Sequence, residues 1–119
     1  AHRWRKMFGG GMRQVGILAA AGLYALENNI DRIKEDHSRA KYLAEKINSM
    51  ENYSVNLDIT KTNIIFIKCN ENSDKIVKKL SNSGIDVTSI DDSTVRAVIH
   101  LHITDEDIEN TISAFSNAQ

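Results

Sequence analysis

The segment Met12–Leu26 constrains this chain most, because it is apolar on nearly every side. Its sequence, MRQVGILAAAGLYAL, contains glycines and alanines that let other backbones approach closely. A helix without a polar face is typical of a buried position. A chain of 119 residues holds only one small hydrophobic core. We therefore expect this helix to need more protein around it than the chain itself provides.

The middle of the chain predicts a long amphipathic helix followed by a strand. Apolar residues recur at three- and four-residue spacing from Asn29, the predicted N-cap, to near Met50. After a polar break, Asn63–Cys69 (NIIFIKC) is rich in β-branched and aromatic residues, which is typical of a buried strand. A short helix follows, with Ser73 as its predicted cap and Gly84 as its stop.

The last third of the chain predicts two further strands and a final helix. Ile85–Ile90 is the weaker strand, whereas Val95–Ile103 alternates so that every second side chain lies on the same face. Thr104 and Asp107 have the spacing of a capping box that opens the last helix. The fold class that this order favours is α+β, with long helices followed by a β-α-β-β-α domain and a mainly antiparallel sheet covered by helices on one face.

Basic residues gather at the start of the chain. Four cations and no carboxylate precede Glu27, namely Arg3, Arg5, Lys6 and Arg13. The whole chain carries a formal charge of −1, so subtracting these four leaves −5 for the rest. The cluster flanks the run Gly9–Gly11 just ahead of a helix, an arrangement that attracts an anion such as phosphate. A flexible turn is the alternative, because glycines alone are a weak signal and no Walker A sequence follows.

Composition argues against several other function classes. Cys69 is the only cysteine, which excludes an internal disulfide and favours a reducing, cytoplasmic compartment. The longest apolar run, Val15–Leu26, is too short to span a bilayer, and nothing before it resembles a cleavable signal, so we expect no membrane anchor. Four cations beside an acidic remainder argue against a nucleic-acid partner.

The strand Val95–Ile103 carries two kinds of candidate site residue. Arg96 lies on a face that is otherwise apolar or imidazole, where an unpaired guanidinium is costly. It therefore needs either an acidic partner within the chain or a carboxylate ligand, and the sequence leaves both open. His100 and His102 share that face, but two imidazoles without a third ligand are more often hydrogen-bonded surface residues. We predict no metal site.

Three stretches resemble one enzyme family. The longest is RWRKMFGGGMRQVGILAAAGLYALENNIDRIKEDHSRAKYLAEKI, which runs from Arg3 to Ile47. TNIIF at Thr62–Phe66 and VRAVIHL at Val95–Leu101, leading into Thr104, are the others. Together they resemble the C-terminal part of the low-specificity L-threonine aldolases, which depend on pyridoxal phosphate and cleave threonine to glycine and acetaldehyde. The likeness covers essentially the whole chain.

The resemblance implies the aspartate-aminotransferase type of fold, with residues 1–28 at the end of a large cofactor domain and residues 29–119 as a small C-terminal domain. Lys6 and Arg13 match family residues near the cofactor phosphate and substrate, reaching the active site of a neighbouring subunit in a homo-oligomer. Arg96 matches the arginine that holds the α-carboxylate of the amino-acid substrate. The glycines would then let backbone and cations approach the anionic cofactor closely.

The sequence also departs from the family. No lysine here matches the one that the family joins to its cofactor, and no residue is assigned a catalytic role. We therefore expect this chain to be the C-terminal part of a longer aldolase, inactive and without bound pyridoxal phosphate when alone. The alternative is a small-molecule-binding or dimerisation module built from the β-α-β-β-α half, which needs no further chain.

Overall fold

A computed structural model describes residues 1–118, which form two compact units. The first unit, Ala1–Ile33, contains α1 (His2–Met7) and α2 (Gly16–Asn28). The second contains nearly all of α3 (Ile33–Asn48), then β1 (Tyr53–Val55), β2 (Ile64–Cys69), α4 (Ser73–Ser81), β3 (Thr88–Asp91), β4 (Thr94–Val98) and α5 (Asp105–Asn117). Within the described residues no helix is both long and apolar enough to cross a bilayer.

The four strands form one antiparallel sheet in the order β1-β2-β4-β3. Along β2, side chains are alternately exposed and buried. The buried side chains of the sheet join residues of α3, α4 and α5 in a single hydrophobic core. Its largest fully buried hydrophobic members are Leu43, Ile47, Ile65, Ile67, Ile76, Leu80, Val95 and Phe115. The predicted α+β class with a mainly antiparallel sheet is confirmed.

The helices of the first half differ from their predicted bounds. α2 covers Gly16–Asn28 rather than 12–26, because Gln14 adopts a left-handed φ of 50° that a helix does not accommodate. Asn29 does not cap a long helix, since it ends α2 and its N–H donates to the Ala25 carbonyl at 2.9 Å. α3 starts only at Ile33, and α1 was not predicted.

Ser73 is the first residue of α4 and not its cap. Asn72 caps the helix, because its side-chain oxygen accepts a hydrogen bond from the Asp74 N–H at 3.2 Å. The buried Ser73 hydroxyl instead lies 2.8 Å from the Ser89 hydroxyl and donates to the Asp91 carbonyl. A polar residue before a helix predicts a cap only where its side chain is not needed elsewhere in the fold.

β4 ends at Val98, well before the predicted end of the strand. The backbone N–H of Ile99 donates to the Asn63 carbonyl at 2.9 Å, and the Asn63 side-chain amide donates back to the Ile99 carbonyl at 2.6 Å. The chain then turns, with the His102 N–H donating to Nδ1 of His100 at 3.3 Å. The two imidazoles therefore lie at a turn and not on the strand face. β3 is likewise shorter than predicted, and β1 was missed.

The capping box of α5 is present as predicted. Asp107 N–H donates to the Thr104 hydroxyl oxygen at 3.2 Å, and the Thr104 N–H donates to the Asp107 carboxylate at 2.8 Å. We expect Thr104→Val to lower the free energy of unfolding by about 1 kcal/mol, because the cap acceptor is lost while the side-chain shape is kept. Urea unfolding followed by circular dichroism measures the change.

Ser113→Ala is the matched control in the same helix. The Ser113 hydroxyl donates to the Glu109 carbonyl within the helix, so its loss should change stability by less than about 0.5 kcal/mol. The Thr104 hydrogen bonds also hold the pKa of Asp107 below its usual value. The stabilisation of the folded state by these hydrogen bonds is present above the unfolded-state pKa of Asp107 and is lost as the pH falls through its folded-state pKa. Equal effects of the two substitutions would contradict the capping account.

Candidate functional site

One face of the sheet carries the candidate site. The side chains of Ile65 and Ile67 face the helices and are fully buried, so the intervening side chains of β2 face the other way. On that side Ile64, Phe66 and Val98 are 37%, 45% and 41% exposed. We call this surface the open face. It is a largely apolar surface to which β2, β3 and β4 contribute.

Arg96 lies in the middle of β4, on the open face. In the strand register it stands opposite Phe66 of β2 on one side and Thr88 of β3 on the other. Val95 and Ala97, its neighbours along the chain, are both buried against the helices, whereas Arg96 is only partly buried. The pleat of the strand therefore directs the guanidinium away from the core.

The Arg96 guanidinium is unpaired within residues 1–118. Its Nε is buried and has no hydrogen-bond partner, and the side chain makes no ion pair with any described carboxylate. A buried donor left unsatisfied costs about 1–3 kcal/mol, and more for a charged group. The sequence left open an acidic partner within the chain or a carboxylate ligand for Arg96. The structure contains no such internal salt bridge among residues 1–118. The arrangement suits a planar anion such as a carboxylate.

His100 and His102 do not form a metal centre in the described part of the chain. Their rings meet edge to face with centroids 5.7 Å apart, and Nδ1 of His100 is already used as a hydrogen-bond acceptor. Among residues 1–118 no group of three or more His, Cys, Asp or Glu side chains is placed to hold a metal ion.

Cys69 and Tyr53 have a structural role. They are cross-strand partners, and both side chains are buried. Burial raises the pKa of the Cys69 thiol to about 11 and the pKa of the Tyr53 phenol to about 12. At neutral pH both groups are protonated, so neither is an activated nucleophile or base.

The N-terminal unit places its cations around a closed turn. α1 ends in a Schellman motif, in which the Gly10 N–H donates to the Arg5 carbonyl at 2.7 Å and the Gly9 N–H donates to the Lys6 carbonyl at 3.1 Å. Gly9 has a φ of 82°, and a Cβ on Gly10 would lie 2.6 Å from Cγ of Arg5. These two glycines are therefore required by the turn itself.

This turn does not offer its glycine N–H groups to an anion. The third of them, on Gly11, donates to the Gly9 carbonyl at 2.8 Å, so all three are engaged within the chain. Lys6, in the last turn of α1, and Arg13, ahead of α2, are both exposed. An anion at this unit would be held by cationic side chains rather than by a glycine cradle.

α2 exposes the apolar surface that its sequence predicted. None of its residues is buried, and Ile17, Leu18, Leu23 and Leu26 are each more than half exposed. Monomeric proteins rarely leave a contiguous apolar helix in water. An exposed apolar surface of this kind is typical of a protein interaction site.

The fold is shared with known enzymes. A mutant of C-DES with glycine covalently linked to its PLP cofactor matches with a TM-score of 0.70 at 19% identity, over 86% of this chain and 28% of the other. A candidate L-allo-threonine aldolase of Listeria monocytogenes matches with the same TM-score at 17% identity, over 98% of this chain and 36% of the other. These neighbours have the aspartate-aminotransferase type of fold.

The sequence comparisons give the family. The chain is 42% identical over 118 residues to low-specificity L-threonine aldolase 1 of Arabidopsis thaliana, covering 96% of this chain and 33% of the relative. It is 41% identical to the low specificity L-threonine aldolase of Escherichia coli K12, covering 91% and 31%. A family model described as beta-eliminating lyase matches residues 1–70. The chain belongs to the beta-eliminating lyase family, and it spans about a third of the length of these curated relatives. The predicted resemblance to threonine aldolases is confirmed.

The sequence alone does not reveal two neighbours of Arg96. Phe66 and Thr88 come next to it only through strand pairing, over separations that hydrophobic periodicity does not reveal. The alternation of each strand gives the face of a residue but not its partner on the adjacent strand. Arg96 itself was identifiable because a cation within an otherwise apolar strand pattern needs an explanation.

Proposed function

We propose that this chain is part of a pyridoxal-phosphate-dependent threonine aldolase, and that its open face binds the α-carboxylate of the substrate through Arg96. The observation that carries this proposal is the buried, unpaired Nε of Arg96 on a face that the helices of its own unit do not cover. The similarity to threonine aldolases over nearly the whole chain supports it.

The chemistry of Arg96 fits this role. A guanidinium stays charged at all relevant pH values and presents N–H donors in a planar fork that matches both oxygens of a carboxylate. The apolar side chains around it reduce competition from water, which strengthens the charged hydrogen bonds. Holding the carboxylate secures and orients the amino acid in the site, a contribution that appears in kcat/KM for the substrate. When bound, pyridoxal phosphate supplies the electron sink for cleavage of threonine to glycine and acetaldehyde.

We assign Lys6 and Arg13 to the cofactor phosphate and the nearby substrate, in the active site of a neighbouring subunit of a homo-oligomer. Both side chains are exposed and belong to a segment without carboxylates. Arg13 precedes α2, whose first turn has no side-chain cap and carries the positive end of the helix dipole. Because the glycine N–H groups are engaged in the turn, the two side chains provide the charge.

The remainder of the activity depends on other parts of the enzyme. We infer that residues 1–28 belong to the end of the large cofactor domain, which would cover the exposed apolar surface of α2, and that residues 29–119 form the small domain. No lysine of this chain is assigned the covalent link to the cofactor, so we expect the 119-residue chain alone to be inactive. A reducing compartment, the cytoplasm, suits the free thiol of Cys69.

The proposal predicts weaker cofactor binding when either Lys6 or Arg13 is replaced. In the full-length enzyme, Lys6→Met and Arg13→Met should each raise the dissociation constant for pyridoxal phosphate about tenfold, because each removes a charged hydrogen bond. The measurement is titration of the cofactor-free enzyme by visible absorbance, beside an assay of acetaldehyde release from L-threonine.

Arg3→Met is the matched control, since it removes a cation from the same exposed segment. Its dissociation constant for the cofactor should stay within about twofold of the unaltered value if position, and not net charge, decides. Equal losses for all three variants would contradict the assignment of Lys6 and Arg13. Absence of acetaldehyde release by the unaltered full-length enzyme would contradict the proposed function itself.

A further inference from the structure

Thr88 lies beside Arg96 on the open face. The residues before and after it face the helices: Val87 packs against the core, and the Ser89 hydroxyl lies 2.8 Å from the Ser73 hydroxyl of α4. Side chains alternate along a strand, so Thr88 faces the opposite way. It is exposed, and in the register of β3 and β4 it stands directly opposite Arg96. Directly opposed residues in an antiparallel pair have Cβ atoms about 4.5–5.5 Å apart.

The Thr88 hydroxyl is unused by the rest of the chain. It makes no hydrogen bond with any other residue in 1–118. A hydroxyl offers one donor, and a bound carboxylate has about four lone-pair positions, of which a guanidinium fork occupies only two. A ligand held by Arg96 therefore retains acceptor capacity within the range of a neighbouring hydroxyl.

The opposite side of Arg96 is apolar. Phe66 of β2 stands across from it and remains 45% exposed, so its ring borders the open face without being withdrawn into the core. The surroundings of the guanidinium are thus asymmetric, with a hydroxyl on the β3 side and an aromatic ring on the β2 side. This asymmetry orients a carboxylate bound to Arg96, because the carboxylate meets a second hydrogen-bond donor only on the β3 side.

We propose that the Thr88 hydroxyl donates a hydrogen bond to the same substrate carboxylate that Arg96 binds, and so helps to fix the orientation of the amino acid. This inference rests on the proposed function. It assigns Thr88 to binding and gives it no part in proton transfer. Its effect should therefore fall on substrate affinity, whereas the rate at saturating substrate should change little.

The test compares three substitutions in the full-length enzyme. Thr88→Val keeps the side-chain shape and the strand propensity but removes the hydroxyl, and should raise the KM for L-threonine and the dissociation constant for glycine about three- to tenfold. Thr88→Ser keeps a hydroxyl and should leave both constants within about twofold of the unaltered values. Thr88→Ala differs from Thr88→Ser only by the missing hydroxyl and should raise both constants as Thr88→Val does. The turnover number should stay within about twofold in all three.

Thr60→Val is the control, because the Thr60 hydroxyl donates to the Asn56 carbonyl and Thr60 lines a cavity with His37 and Lys41 of α3. Unchanged affinity in Thr88→Val, or an equal loss in Thr88→Ser, overturns the inference. A raised KM for Arg96→Met with an unchanged KM for Thr88→Val refutes the role of Thr88 alone. Failure of the unaltered enzyme to cleave threonine refutes the proposed function, and the role of Thr88 with it.

Discussion

Replacing Arg96 with methionine in the full-length enzyme should lower kcat/KM for L-threonine about a hundredfold or more. The substitution removes two charged hydrogen bonds, each worth about 1.5–3 kcal/mol, while it retains most of the apolar stem. Arg96→Lys should recover only part of the loss, because an ammonium keeps the charge but lacks the planar fork. Steady-state kinetics of acetaldehyde release measures both variants.

Lys68→Met is the matched control for this prediction. Lys68 belongs to β2 and lies on the same face as Phe66, two residues away, but it is exposed and is not opposite Arg96 in the register. Its removal should change kcat/KM by less than about threefold, as expected for a solvated surface charge. Comparable losses for Lys68→Met and Arg96→Met would mean that the general charge of the open face matters and that Arg96 has no specific role.

Phe115→Ala should lower the free energy of unfolding of the chain by about 3–5 kcal/mol. Phe115 of α5 is fully buried and meets the Tyr53 ring edge to face, with ring centroids 5.2 Å apart. The substitution creates a cavity where α5 packs against the sheet. Since small domains have a total stability of about 5–15 kcal/mol, we expect the midpoint of urea unfolding to fall to a much lower urea concentration.

Phe66→Ala is the corresponding control on the open face. Phe66 belongs to the same sheet but is 45% exposed, so its removal should cost about 1 kcal/mol or less. Urea unfolding followed at 222 nm by circular dichroism compares the two variants. Similar destabilisation by both substitutions would show that Phe66 belongs to the core and does not lie on an uncovered face of the sheet.

Local signals in the sequence predicted local structure well. The capping box at Thr104 and the turn at Gly84, whose φ is 77°, appear where the pattern placed them, because each is set by residues a few positions apart. The strand at Asn63–Cys69 was also predicted to within one residue. Signals of this kind do not depend on the rest of the fold, which is why the sequence alone is sufficient for them.

Predictions failed at the ends of several helices and strands. Asn29 has the chemistry of an N-cap, yet α2 continues up to it and leaves it as a C-cap. β4 ends early because the Asn63 side-chain amide donates a hydrogen bond to the Ile99 carbonyl, and these two residues are 36 positions apart in the sequence. The three-residue strand β1 is too short for any periodic pattern to reveal.

The candidate site shows the same division. The sequence identified Arg96 as a cation in need of a partner, but only the structure shows that no described carboxylate pairs with it. The glycine run was expected to approach an anion, whereas its geometry first serves to end α1. The roles of Lys6 and Arg13 remain predictions.

The central claim is that Arg96 recognises a carboxylate, and one measurement tests it directly. The affinities of glycine and of glycinamide, which lacks the carboxylate, should be compared in the unaltered full-length enzyme and in Arg96→Met by titration. We predict that the unaltered enzyme prefers glycine by about a hundredfold or more and that the variant loses most of this preference. A preference for glycine that persists undiminished in Arg96→Met would contradict the claim.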